Sequence, residues 1–151
     1  MRRKDKQISV FEELEAILRK SEICRLALKD EDYPYIIPMN HGYKDSTLYF
    51  HCAADGRKIE LIRKNNRVAF EVETGYYLKK GEKACKWTAG YSSVIGRGTI
   101  EIIDDTEKIK EGLDIIMSHH SGPVGCYDDK YLKNMLILKL SIIDMTGKKS
   151  L

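Results

Sequence analysis

Apolar residues recur along this chain with two periods, and the switches between them mark its elements. Val10, Phe11, Leu14, Ile17 and Leu18 fall at helical spacing behind Ser9, with Glu12 three residues on, as in a capping box. A first helix is therefore predicted at about residues 9–20. From Ile23 the period drops to two: Cys24, Leu26 and Leu28 alternate with Arg25, Ala27 and Lys29, the signature of a half-buried strand. Tyr33 to Met39 is β-rich but contains Pro34 and Pro38. Proline cannot donate to a ladder, so this strand belongs at an edge, at a bulge, or with its N–H side facing a ligand. Asn40-His41-Gly42 then reads as a turn. Thr47 to Ala53 puts Leu48, Phe50 and Cys52 on one face and Tyr49, His51 and Ala53 on the other.

The pattern continues with a helix over 56–64 carrying Ile59 and Ile62, and a strand at Val68, Phe70 and Val72. Residues 75–90 lose the rhythm among three glycines and five charges, which predicts a long loop. Tyr91 to Ile103 resumes as a strand, with a bulge expected at Gly96-Arg97-Gly98. A second long helix follows Asp104-Asp105-Thr106 and ends at His119-His120-Ser121-Gly122-Pro123; residues 128–134 suggest a short helix. Met135 to Met145 closes as a strand. Six strands joined mostly by short turns, with two longer helices between them, predict an α+β fold, mainly β: a small antiparallel barrel in one domain. Strands and helices do not alternate regularly, which excludes a doubly wound sheet.

Composition changes this picture little. The 151 residues are 42% hydrophobic and 32% charged, ordinary for a soluble globular chain. Its 26 basic and 23 acidic residues are interleaved, leaving a net charge of +3, too weak and mixed for nucleic acid. Neither a bilayer-spanning apolar run nor a secretory signal is read, and the expected location is cytoplasmic. The basic stretches, Arg2 to Lys6 and Lys148-Lys149, read as solvated tails. Cys24, Cys52, Cys85 and Cys126 lack metal or redox spacing and read as reduced thiols packed as small hydrophobes.

The chemistry concentrates at 49–62. A strand carrying His51 breaks at Ala53-Ala54-Asp55-Gly56, and Arg57 and Lys58 open the next helix. Backbone N–H groups at a helix start favour an anion. Cations in that turn oppose the helix dipole, where acids would be the structural choice. Two readings stay open: a phosphate site, or two solvated cations. The spacing is not that of a P-loop, and Gly96-Arg97-Gly98 lacks the third glycine of a dinucleotide fingerprint. His119 and His120 with Cys126 lack the ligand spacing of a zinc site, so no metal is expected.

Three stretches, Tyr33-Pro34-Tyr35-Ile36-Ile37-Pro38-Met39-Asn40, Leu48-Tyr49-Phe50-His51-Cys52-Ala53 with Gly56-Arg57-Lys58, and Tyr91-Ser92-Ser93-Val94 with Gly98, together resemble the flavin-binding split-barrel proteins. The chain looks closest to the NimA-like, nitroimidazole-resistance branch of the pyridoxamine 5′-phosphate oxidase superfamily. The resemblance runs from about residue 8 to residue 145. It implies a six-stranded antiparallel split β-barrel with flanking helices, a homodimer, and FMN in clefts between subunits, with FAD a possible substitute. Arg57 and Lys58 would hold the FMN phosphate, and Gly56 would permit the close turn. His51, Cys52 and Ala53 would line the cleft, with His51 the candidate catalytic residue. Ile37, Pro38, Met39 and Asn40 would offer backbone groups to the ring edge, and Ser93 and Val94 would complete the wall. Residues near Trp87 or His120 would reach across from the partner subunit. The implied activity is an oxidoreductase of the nitroreductase type, passing electrons from NAD(P)H through flavin to a small acceptor. A non-enzymatic flavin or haem carrier or sensor is the alternative. The chain shows no counterpart of the C-terminal substrate segment of pyridoxamine phosphate oxidases, so oxidation of vitamin B6 is not implied.

Overall fold

The computed structural model describes residues 3–150. In chain order the elements are β1 (Gln7–Ile8), α1 (Phe11–Lys20), β2 (Ile23–Leu28), β3 (Tyr35–Asn40), β4 (Gly42–Lys44) and β5 (Thr47–Ala53). Then come α2 (Arg57–Lys64), β6 (Arg67–Lys79), β7 (Thr88–Ile103), α3 (Thr106–His119), α4 (Asp129–Leu132) and β8 (Met135–Ser150). The strands form one antiparallel sheet in the order β3-β2-β6-β7-β8-β5-β4, with β1 also on β8. The path is not closed: β3 and β4 are its free edges. The class is α+β, mainly β, as the alternation predicts.

The period-two stripes meet in a single core. Cys24, Leu26 and Leu28 of β2, Phe70 and Val72 of β6, and Leu138 and Leu140 of β8 are buried together with Leu48 and Phe50 of β5. Leu18 of α1 and Ile59 and Ile62 of α2 complete it. The opposite face of the β5–β8 region is covered by α3, whose Ile109, Leu113 and Ile116 pack on Ile137. This packing is close. A Cβ on Gly42 would stand 2.7 Å from the Ile116 Cα, so β4 can approach the helix only with glycine at that position.

Several local expectations need correction. The helix behind Ser9 begins at Phe11, and its N-cap is Val10, with no side-chain cap. Ile8 pairs with Gly147, which keeps the chain extended where the capping box would have started the helix. Residues 75–90 form a hairpin rather than a loop: Tyr77, Leu78 and Lys79 pair with Gly90, Ala89 and Thr88 beyond a register shift after Thr74. Three glycines and many lysines hid strands that pair only with each other. The last strand runs on to Ser150, so Lys148 and Lys149 lie in the sheet opposite Ser93 and Ser92. At the other basic end, Met1 and Arg2 lie outside the described residues, and the Lys6 ammonium reaches the Ser150 hydroxyl at 2.9 Å. The predicted turn around His41 is the junction of β3 and the unpredicted short strand β4, and His41 is wholly buried. All four cysteines are free, but only Cys24 and Cys52 are buried; Cys85 and Cys126 are exposed. The expected bulge is present, between Arg97 and Gly98 against β8. No helix among the described residues is long and apolar enough to cross a membrane.

Candidate functional site

The corner between β5 and α2 is built by the end of a ladder. Ala53 is the last residue of β5 to pair with β8, and the Ala54 N–H still donates to the Asn134 carbonyl at 3.0 Å. Gly56 then turns the chain at φ 102°, with nothing within 4 Å of where a Cβ would stand. Its carbonyl accepts from the N–H groups of both Ile59 and Glu60, at 3.0 and 3.2 Å. No side chain caps this helix. The N–H groups of Arg57 and Lys58 precede the first helical bonds and are left for an outside acceptor.

Arg57 links this corner to the opposite edge of the sheet. Its guanidinium pairs with Asp30 in the β2–β3 turn, and its carbon lies 5.4 Å from the centroid of the Tyr35 ring. Lys58 is half-buried. Burial, and then the nearby Lys58 cation, push the His51 imidazole below its usual pKa, so the exposed ring is neutral at neutral pH. Burial raises the Cys52 thiol despite an opposing pull from Lys58, which keeps it protonated and unreactive.

The proposed site residues divide by what they can present. His51, Ala53, Gly56 and Arg57 are exposed. Cys52 and Val94 point into the core, so only their backbone could face a ligand. On the edge strand β3, Pro38 and Asn40 are exposed, while Ile37 and Met39 pack against the core. The Asn40 amide donates to the Glu22 carbonyl at 3.2 Å. The proline thus sits on an edge strand, as its missing N–H requires.

One chain does not bring all these residues together. His51 lies opposite Ile137 on β8, whereas Ser93 lies opposite Lys148 near the far end of the same strand. At about 3.3 Å per residue the two positions are on the order of 35 Å apart along the strand. His120 is engaged within its own chain, its Nε2 3.0 Å from the His41 carbonyl. Trp87 is exposed, and its indole N–H donates to the Gly81 carbonyl at 2.8 Å. A cleft of about 800 Å³ lies elsewhere, between Arg19, Tyr43, Tyr49 and α3, and no residue of the β5–α2 corner lines it. Asp30, the partner of Arg57, was missed by sequence reasoning. Its signal was only an acidic turn, and nothing local says that a helix start packs on it.

Residues 11–149 match the protein family described as pyridoxamine 5′-phosphate oxidase. The chain belongs to this family. A crystal structure of a candidate 5-nitroimidazole antibiotic resistance protein from Bacteroides thetaiotaomicron is 33% identical, with a TM-score of 0.83, covering 95% of this chain and 86% of that one. The FAD and haem binding protein from Mycobacterium smegmatis has the same fold at 21% identity, with a TM-score of 0.80, over 96% of this chain and 73% of that one. An uncharacterized protein of Rhizobium meliloti is 30% identical over 61 residues, which span 40% of this chain and 40% of that protein.

Proposed function

We propose that this protein is a cytoplasmic flavoprotein that binds FMN by its phosphate at the β5–α2 corner and acts as an oxidoreductase of the nitroimidazole-resistance type. The observation that carries this reading is the helix start itself: α2 opens behind Gly56 with no side-chain cap and with Arg57 and Lys58 as its first two residues, ahead of Glu60. The fit is good. A phosphate would accept from the unpartnered N–H groups and from Arg57 and Lys58, and the open space around Gly56 allows close approach. Arg57 is held in place by Asp30 and Tyr35, so its guanidinium is oriented before any ligand arrives. Membership in the pyridoxamine 5′-phosphate oxidase family supports the assignment, as do the descriptions of the neighbours, one a nitroimidazole-resistance candidate and one a flavin binder. A single helix start suits FMN; FAD could use the same corner for one of its two phosphates.

When bound, the flavin supplies the redox step between a donor such as NAD(P)H and a small nitro-type acceptor. The chain's own contribution is placement. Arg57, Lys58 and the α2 N–H groups fix the phosphate. The free edge of β3, from Ile37 to Asn40, offers backbone hydrogen-bonding groups to the ring. His51, neutral and exposed, is the residue assigned to hold or pass a proton at the acceptor.

The site needs two copies. Ser93 and Val94 cannot reach the β5–α2 corner of their own chain, but a two-fold axis perpendicular to the strands would bring one copy's Ser93 end to the other copy's α2 start. We therefore assign the working form as a homodimer with a flavin at each inter-subunit cleft. The test is the absorption spectrum of the purified protein, followed by flavin retention in the Arg57→Ala/Lys58→Ala variant. Unchanged retention would sink the phosphate assignment. A flavin-loaded protein that never turns over NAD(P)H with a nitroaromatic would leave a non-enzymatic flavin binder.

A further inference from the structure

The hairpin formed by residues 76–89 stands apart from the body. Its residues Tyr77, Leu78 and Lys79 pair only with Gly90, Ala89 and Thr88, while β2 pairs with β6 no further than Val72 and β8 pairs with β7 only from Tyr91. An isolated two-stranded ribbon is marginal in water. This one also exposes Tyr76, Tyr77, Leu78 and Trp87, at 67%, 47%, 45% and 46% of their surfaces. It is nonetheless shaped from within: Trp87 donates to the Gly81 carbonyl, and the Lys80 ammonium sits 5.8 Å from the Trp87 ring centroid. Lys79, Lys80, Lys83 and Lys86 crowd its tip against Glu82 alone, and none of these lysines has an ion-pair partner among the described residues.

The complement lies at the other end of the same sheet. The β2–β3 turn carries Asp30, Glu31 and Asp32, and beside it Tyr33 and Ile36 are 82% and 59% exposed. Asp30 is taken by Arg57, whereas Glu31 and Asp32 have no ion-pair partner among the described residues. The turn follows Leu28, which lies opposite Val68 near the start of β6, and the arm grows from the end of that strand. Within one chain the two surfaces cannot meet. A two-fold axis of the kind proposed for the divided flavin site would exchange the ends of the strands and bring each arm toward the other copy's turn.

We propose that the hairpin arm 76–89 is an inter-subunit clasp. Its lysines dock on Glu31 and Asp32 of a second copy of this chain, and Tyr76, Leu78 and Trp87 cover the exposed Tyr33 and Ile36 there. The clasp rests on the dimer reading above and adds to it a role for this arm. It places the arm over the turn whose Asp30 positions Arg57, so arm docking shields the ion pair that orients the phosphate-binding cation. Apolar cover supplies the stability of the contact, and the charges fix its register and partner.

The test is a charge swap in the full chain. Lys83→Glu/Lys86→Glu is expected to weaken dimerisation at least ten-fold in sedimentation equilibrium, and Glu31→Lys/Asp32→Lys likewise. Combining the two pairs in one chain should restore association. A second variant removes dependence on affinity: Lys83→Cys with Asp32→Cys, on a Cys85→Ser/Cys126→Ser background, should give a covalent dimer on oxidation, with both single-cysteine controls staying monomeric on a denaturing gel. Dimerisation untouched by either reversal, together with no disulfide-linked dimer, overturns the clasp. Flavin uptake is read separately. A wild-type dimer that takes up FMN but ignores the arm variants defeats the clasp alone. A clasped dimer that refuses FMN defeats the flavin assignment and leaves the clasp standing.

Discussion

Two helices of this protein begin in opposite ways. Helix α3 starts behind Asp105, whose carboxylate accepts from the Lys108 N–H at 3.0 Å, with Glu107 in the first turn. It also ends within the molecule: His119 Nε2 meets the Ser21 carbonyl at 2.7 Å, and His120 Nε2 meets that of His41. Helix α2 starts behind a glycine with positive φ and no side-chain cap, and Arg57 and Lys58 precede the one acid of its first turn, Glu60. The first helix caps one of its leading N–H groups with its own N-cap carboxylate, and the second caps none with a side chain. A helix start that the fold does not complete internally is therefore a better pointer to a ligand than either of its cations alone.

The largest expected effect breaks the contrast at α2. Losing two charge-assisted hydrogen bonds at about 1.5–3 kcal/mol each predicts that Arg57→Ala/Lys58→Ala weakens flavin binding by ~100-fold or more, read by equilibrium dialysis. Folding should be little changed, because both side chains sit at the surface or only half-buried. Retained affinity would mean that α2 is simply an uncapped helix.

The second effect concerns the closed end of α3. His41 is wholly buried; burial pushes its pKa down to about 4, and its ring centroid lies 4.7 Å from that of His119, the planes tilted by 54°. Its folded pKa lies below the unfolded value near 6.5, so the neutral ring contributes stability fully present above that value. That contribution is lost as pH falls from about 6.5 toward 4, up to on the order of 3 kcal/mol. His119 is shifted the same way, chiefly by burial, and adds to the trend. Thermal melts between pH 7 and 4 check it; a flat profile would remove His41 from the account.

Smaller effects sharpen the comparison. Asp105→Ala should cost about 1 kcal/mol of stability in denaturant titration and leave flavin binding alone. Gly56→Ala meets no neighbour, so its cost is backbone strain alone, about 1–3 kcal/mol for a side chain at φ 102° and ψ 169°, a region that essentially only glycine adopts. It should also loosen flavin by misplacing the first N–H groups. If Gly56→Ala changed stability but not affinity, the turn would be structural only.

Much of this could be read from the chain. Alternation at Cys24, Leu26 and Leu28 and at Val68, Phe70 and Val72 marks strands because one face of each is buried, and that burial is the reason the period exists. The corner at Gly56-Arg57-Lys58 was legible because its residue types contradict what a helix start wants. The hairpin arm was illegible for the converse reason. Its strands bury no face in their own chain, so they carry no period, and glycines and lysines imitate a loop. His41 was missed because a buried polar side chain is permitted only by partners elsewhere in the chain: its Nε2 lies 3.2 Å from the Leu18 carbonyl, and Ser21 and His119 flank it.

By itself, then, the sequence determined the mainly β class, the order of the longer elements and the unusual run Gly56-Arg57-Lys58 at a helix start, because local sterics and one-sided burial write themselves into residue spacing. Only the tertiary structure decided that Asp30 and Tyr35 orient Arg57, that Cys52 and Val94 face the core, and that Ser93 and His51 lie at opposite ends of β8. Those facts depend on strand register and on which sheet edge a helix reaches, which long-range pairing sets.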